Sequence, residues 1–202
     1  MRSAATSRAE KTARRLSEIT DAAARVFARR GYHGASTQDI ADVLGIRQAS
    51  LYYYFESKEA ALEAVCASGL EDYAVRAQHI LRSGEDASTK VAQLVHQHLA
   101  PFAERLEYTQ VFLRERRFLP QPARRRIRAS ELRYERMIQR VIEQGVRSGE
   151  FRRDLDARMA TLALLGLGNS AALWIAHEPG ATIETTTRSY AEMLVRAFRA
   201  GH

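Results

Sequence analysis

Residues 36–55, STQDIADVLGIRQASLYYYF, decide how the rest of the chain is read. A hydroxyl at Ser36 or Thr37 accepts a hydrogen bond from an otherwise unpaired backbone N–H, so either residue starts a helix. Ile40, Ala41 and Leu44 recur at helical spacing and give that short helix one buried face. Gly45 follows where a residue able to adopt positive φ ends the helix and reverses the chain, and Ile46 plugs the elbow. A second helix over roughly residues 48 to 55 buries Leu51 and Phe55. It projects Arg47, Gln48, Ser50, Tyr52 and Tyr53 on its other faces, donors and flat rings that suit phosphates and base edges. The stretch reads as a helix-turn-helix. An ordinary helical hairpin with the tyrosines in a core or interface is the alternative that pattern alone leaves open.

Ahead of it, Leu16, Ile19, Ala23, Val26 and Phe27 recur at steps of three or four and predict a first helix over about residues 12 to 30, stopped by Gly31. That helix supplies the third leg of a three-helix module, because two short helices make too small a core. Residues 1–15 carry Arg2, Arg8, Lys11, Arg14 and Arg15 against Glu10 and read as a mobile basic arm. Such an arm lies along DNA or merely solubilises. His33 reads as a solvated loop histidine. Behind the stretch, Ser57 caps a long helix reaching about residue 81, with Ala61, Leu62, Val65, Cys66, Leu70 and Tyr73 down one face.

The residues Gly31, Gly34, Ser36/Thr37, Ile40-Ala41, Gly45, Leu51-Tyr52-Tyr53-Tyr54-Phe55 and Ser57-Lys58-Glu59 resemble the N-terminal domain of TetR-family transcriptional regulators over about residues 14 to 65. Arg47-Gln48-Ala49-Ser50 stands where many members carry Ser-Lys-Gly-Thr, and Tyr54 stands for the usual His, which puts the operator sequence in doubt and not the fold. The resemblance implies that Lys58 holds phosphate and that the helix after Ser57 links a DNA-binding head to a body. With Arg47, Gln48, Ser50, Tyr52 and Tyr53 on the DNA face, Thr37 and Lys58 position phosphates. Gln48 suits adenine, and Arg47 suits guanine or phosphate.

The 202 residues include only four prolines and 11 glycines, and no alternating strand-like runs, so the expected fold is all-α. Its division is a DNA-binding domain over residues 1–56 and a ligand-binding and dimerisation domain over 57–202. The formal net charge of +7 favours anionic partners, although a solvated arginine face gives the same total. The single cysteine, Cys66, sits on an apolar helical face and reads as core rather than as a redox or nucleophilic group. The N-terminus lacks the apolar core of a signal peptide, and no window approaches the roughly 18 apolar residues of a membrane span, so a cytoplasmic protein without membrane contact is expected. His96 and His98 diverge on a helix, no His/Cys set has ligand spacing, and no metal or cofactor is expected. No Ser/His/Asp spacing or phosphate loop appears, so no enzyme is expected either.

Residues 83–86 mark a boundary, after which Ser88 or Thr89 starts a helix with Val91, Leu94, Val95, His98, Leu99 and Phe102 on its apolar side. Pro120 and Pro122 read as breakers before an arginine-rich helix. Between residues 114 and 140 there are ten arginines against Glu115, Glu131 and Glu135. These form either a solvated face or a basic mouth beside an apolar tunnel, suited to an anionic head with a greasy tail. Asp154 or Asp156 caps a helix whose residues 159–175 mix leucines with Gly166, Gly168, Ser170, Ala171 and Ala172. Thr182 starts the last helix. These final two helices read as a four-helix interface with a second subunit, or else as intrachain core.

The stretch Phe112-Leu113-Arg114-Glu115-Arg116-Arg117-Phe118-Leu119-Pro120, with the helix after it, more weakly resembles TetR-family members that sense fatty acyl or steroid-derived coenzyme A thioesters. That resemblance implies Arg114, Arg117 and Arg133 at a pocket entry, with Phe112, Tyr134, Met137 and Trp174 as walls. A homodimeric regulator, a repressor released from a palindromic operator by its effector, is the resulting expectation. Induction would follow from linkage, carried by the helix after Ser57 as the only covalent link between head and body. A regulator of efflux sensing a hydrophobic or cationic drug, and a helical interaction module that binds no DNA, are the alternatives.

Overall fold

The computed structural model describes residues 2–68, 70–175 and 177–199, without the side chains of 2–9, 71, 72 and 104. Its elements are all helical, and among the described residues the one extended pairing is an isolated bridge between Phe151 and Arg199. The chain forms two compact units, one of Met1–Ser68 with Glu107–Ile127 and one of Gly69–Leu106 with Arg128–His202. By packing, then, the segment 107–127 belongs with the N-terminal residues. The chain therefore passes between these two units three times, after Ser68, after Leu106 and after Ile127.

In the first unit, α1 (Arg2–Gly34) packs against α2 (Thr37–Leu44) and α4 (Lys58–Ala67), and α2 packs against α3 (Gln48–Leu51). Ile19, Ala23, Phe27, Ile40, Ala41, Leu51, Leu62 and Val65 are all buried, which is the core that the sequence periodicity anticipates. Two expectations are corrected. The helix starts at Arg2 rather than near residue 12, because alanine, arginine, glutamate and lysine dominate the supposed arm and all favour helix. Of that arm, Met1 and the side chains of Arg2 and Arg8 lie outside what is described, while Arg14 and Arg15 pair with Glu18. The helix after Ser57 also stops at Ala67, where Ser68 turns extended at ψ 122, and a separate α5 (Leu70–Arg82) follows in the second unit. Serine followed by glycine is a weak continuation signal for a helix.

In the second unit, α6 (Ala87–Leu99) is the central element, packing against α5, α10 (Ala157–Trp174) and α11 (Ile183–Phe198). Its cap is Asp86 rather than Ser88 or Thr89, with the Asp86 carboxylate accepting from the Thr89 N–H at 2.7 Å. Glu150 adds two bonds at 2.8 Å to the N–H groups of Ala87 and Ser88, so two carboxylates sit at the positive end of this helix. Asp156 and Thr182 cap α10 and α11 as expected.

The two units share a long helix, α9 (Gln121–Ser148), preceded by α7 (Pro101–Glu104), α8 (Leu106–Glu115) and a 3-10 turn over Arg116–Phe118. Pro122 does not break α9. It lies in the first turn, where the missing N–H has no helical partner to lose, so Arg124 to Arg128 are inside the helix rather than before it.

Candidate nucleic-acid interface

The turn geometry of the helix pair is set locally. Ser36 accepts the Asp39 N–H at 3.1 Å while the Asp39 carboxylate accepts the Ser36 N–H at 2.8 Å, a reciprocal cap on α2. Hydrogen bonds to the Asp39 carboxylate, led by the one from the Ser36 hydroxyl, hold its carboxyl below the ordinary range, and Arg30 adds an ion pair at 2.8 Å. Gly45 closes α2 at φ 64 and ψ 32, a left-handed conformation that glycine adopts without penalty, and Ile46 N–H returns to the Ala41 carbonyl at 3.1 Å.

The second helix is shorter than expected. Helical bonding runs over Gln48–Leu51 and then tightens into turns at Tyr54 and Phe55, whose N–H groups both return to the Leu51 carbonyl. Leu51 and Phe55 are buried, as read from sequence.

On the open side, Arg47 and Ser50 are exposed, Tyr53 is 84 % exposed and Tyr52 is 47 % exposed. Thr37 is buried, and its hydroxyl accepts from the Gln48 amide at 2.7 Å and lies 3.3 Å from the Tyr52 hydroxyl. One amide proton of Gln48 is thus used to brace α3 against α2. Its second proton and its carbonyl remain, the donor and acceptor that an adenine edge requires. Lys58 is also committed: its ammonium donates at 2.9 Å to the carbonyls of both Tyr32 and Ala35 and lies 4.3 Å over the Tyr32 ring. Two of its three protons therefore tie the entry of α2 to α4.

Tyr32 is the centre of this entry. Its hydroxyl donates to Glu59, and burial and that carboxylate together push the phenol up to about 12. Its backbone N–H donates to Glu115 at 3.0 Å, and its ring stacks on Phe118 with centroids 5.3 Å apart. His33 is exposed as expected, but it stands in the last helical turn of α1 rather than in a loop, and its ring meets Phe118 edge-on at 4.4 Å.

The residues expected to bind an effector fall in both units. Phe112, Arg114 and Arg117 belong to the first, where the Arg116 guanidinium covers Phe112 and that of Arg117 covers Phe118, each at 4.7 Å. Arg133, Tyr134, Met137 and Trp174 belong to the second. There Tyr134 is buried beside His98, whose Nδ1 lies 3.3 Å from the Tyr134 hydroxyl and whose Nε2 lies 3.2 Å from Asn169 Oδ1. Tyr73 donates to the His98 carbonyl at 3.3 Å. Burial pushes the His98 imidazole down to about 4, so it is neutral, and it pushes Tyr73 up to about 12. The place of His98 in the apolar period signalled its burial; nothing in the sequence signalled Asn169 as its partner. Among the described residues there is no cluster of groups that would hold a metal ion, and no helix is long and apolar enough to cross a membrane.

Residues 19–65 match the description "Bacterial regulatory proteins, tetR family", and residues 84–198 match "Tetracyclin repressor-like, C-terminal domain". The chain belongs to the TetR family. This TetR-family chain is 28 % identical over 190 residues to the transcriptional repressor KstR2 of Rhodococcus jostii strain RHA1, covering 93 % of each. It superposes on the TetR-family regulator PfmR of Thermus thermophilus with a TM-score of 0.81 at 27 % identity, over 88 % of this chain and 97 % of that one. It superposes on FadR of Bacillus subtilis, solved in complex with stearoyl-CoA, with a TM-score of 0.76 at 24 % identity, over 90 % and 98 % of the two chains.

Proposed function

We propose that this TetR-family regulator is a homodimeric repressor that reads a palindromic operator and is released by an acyl-CoA thioester. The observation that carries the DNA-reading part is the braced pair α2 and α3. Thr37 locks Gln48 and Tyr52 into register, and Arg47, Ser50 and Tyr53 stand open around them. One such short helix touches few bases, whereas two held about 34 Å apart by a twofold axis read a palindrome. In role, residues 1–56 read DNA and residues 57–202 sense and dimerise.

A second copy is favoured by the outer face of the last two helices. Met159, Leu162 and Leu173 on α10 and Met193 on α11 are exposed large apolar residues, although the opposite face of α10 already buries Leu164, Ala171 and Ala172. Gly166 lies in the same outward row with open space where a side chain would be, so a partner helix can approach closely. A helix that is apolar on both faces calls for cover on both.

For the effector, support comes from the whole-length similarity to KstR2 and FadR, and from the arginines of α9. Arg126 and Arg128 are engaged with carboxylates, while Arg133, Arg136 and Arg140 are exposed and free of carboxylates among the described residues. Guanidinium forks match phosphate and carboxylate groups. A thermal-shift panel of free coenzyme A, short and long acyl-CoAs and lipophilic cations tests this part, paired with release from a duplex selected by the protein out of a random pool. Stabilisation and release by acyl-CoA are expected. Stabilisation by the cations alone would overturn the effector and favour an efflux regulator, and a wild-type protein that binds no duplex would overturn operator reading.

A further inference from the structure

The turn that launches α2 is held from a distant part of the chain. The backbone there breaks from helical geometry at Gly31, with φ 67 and ψ 169, makes one further helical turn over residues 32–34 closed by the Ala35 N–H on the Gly31 carbonyl at 3.1 Å, and starts α2 at the Ser36 cap. That single turn, cut off from the rest of α1 by the break, leaves its outer side to be braced by other elements. Two residues from the end of α8 and the 3-10 turn supply that side. The Glu115 carboxylate accepts the Tyr32 N–H at 3.0 Å and lies 3.8 Å from where a Cβ on Gly31 would stand, so it sits over the break itself. The Phe118 ring lies nearly parallel to Tyr32, 16° between planes. Lys58 closes the other side through the carbonyls of Tyr32 and Ala35, and Ala35 is the residue before the cap.

The segment that carries Glu115 and Phe118 is pinned to the first unit at two further places. Tyr108 bonds Asp21 on α1, and Arg126 makes a two-pronged pair with Glu63 on α4 at 2.7 and 2.8 Å. The same segment is continuous at both ends with the second unit, through Leu106 and Arg128. A displacement of those ends thus has a route to the turn before α2 through this segment, besides the route through α4 itself.

We propose that Glu115 and Phe118 are positioning residues for DNA reading: acting through Tyr32 they set the angle at which α2 starts, and with it the register of Gln48 and Arg47. The segment over residues 107–127 is then a second input to the reading pair besides α4. This rests on the operator reading above.

The full-length protein carrying Glu115→Ala, Glu115→Gln, Phe118→Ala or Phe118→Tyr tests it in two arms. Hydrogen exchange of the backbone amides over residues 35–51 needs no DNA. In the two alanine variants those amides should exchange about tenfold faster, the size of one aromatic pair or one charged hydrogen bond. Exchange in α6 and α10 should stay as in wild type. In the second arm, the ratio of affinities for the selected duplex and a scrambled one should fall about tenfold in the alanine variants, with the salt slope unchanged because no phosphate contact is removed. Glu115→Gln keeps an acceptor and Phe118→Tyr keeps the ring, so both should restore exchange and ratio to within about twofold of wild type. Wild-type exchange over residues 35–51 in both alanine variants would overturn the proposal. So would protection lost equally across both units, or a glutamine variant no better than alanine. If wild type binds no duplex, the operator reading falls and the exchange arm still decides whether these residues hold the turn.

Discussion

Replacing the buried histidine should change how stability depends on pH by about as much as it changes stability at neutral pH. His98 is held at a pKa of about 4 by burial against an ordinary 6.5, so the folded protein binds its proton less readily than the unfolded chain does. A depressed histidine contributes stability that is fully present above 6.5 and is lost as the pH falls from 6.5 towards 4, at about 1.4 kcal/mol per unit. Over the whole window that amounts to about 3 kcal/mol, and between pH 7.5 and 5 to about 2 kcal/mol. The carboxyl groups held low, such as Glu135 and Asp86, act mainly below pH 4.5, and they are present in wild type and variant alike. Urea unfolding of wild type and His98→Gln at pH 7.5, 6 and 5, at one protein concentration so that any dimerisation is held constant, isolates the site. At pH 7.5 the variant should be less stable, by about 1–3 kcal/mol, for the hydrogen bonds lost to Tyr134 and Asn169. At pH 5 that gap should shrink by about 2 kcal/mol, because only wild type carries a ring here that takes up a proton on unfolding. A gap that stays constant across this range would refute the account of His98 as a neutral, desolvated core residue.

Gly168→Ala is expected to destabilise by about 1–3 kcal/mol in the same assay, since its Cβ would stand 2.2 Å from His98 Cδ2 and 2.8 Å from Nε2, and a buried ring has no room to yield. Gln48→Ala should relax discrimination at one base position by about 1–3 kcal/mol, measured as affinities over a set of single-position duplex variants. By contrast, Arg47→Ala should weaken all duplexes alike and reduce the salt slope by about one, and a base-specific loss there would assign Arg47 to a base edge instead. Leu173→Glu, which places a charge in the exposed apolar row of α10, should halve the mass seen by sedimentation; an unchanged mass would place the interface elsewhere.

What can be read from the chain follows the range of the forces involved. The cap at Ser36, the reversal at Gly45 and the burial of Leu51 and Phe55 are decided within a few residues, and all are as the sequence indicates. Differences of extent arise where local signals conflict. Pro122 reads as a breaker in sequence, but in the first turn of α9 it costs no hydrogen bond and merely begins the helix. Ser68 carries no stop signal strong enough to interrupt the apolar period that continues to Leu70 and Tyr73, and yet the helix ends there. The residues expected at an effector pocket, implied by the resemblance at residues 112–120 and in the helix after them, fall in two packing units, because the chain passes from one unit to the other within that helix.

The larger gap concerns how the reading pair is held. Glu115 and Tyr32 are 83 residues apart, and neither has a periodicity or spacing that names the other. Among its neighbouring arginines Glu115 carries no signal of its own, and only the fold shows its carboxylate spent on the Tyr32 N–H. The same holds for Lys58, which in isolation is a cation near DNA and in the fold is a tie between two carbonyls with one proton to spare. Any phosphate contact it makes must use that third proton or break a bond that shapes the entry of α2. Lys58→Arg therefore separates the two roles. A guanidinium keeps the charge for phosphate but, being planar and longer, cannot reproduce an ammonium's two bonds over the Tyr32 ring. If shape dominates, this charge-conserving change should lower operator affinity by about tenfold while leaving the salt slope intact. Wild-type affinity in Lys58→Arg would instead assign the residue to phosphate alone.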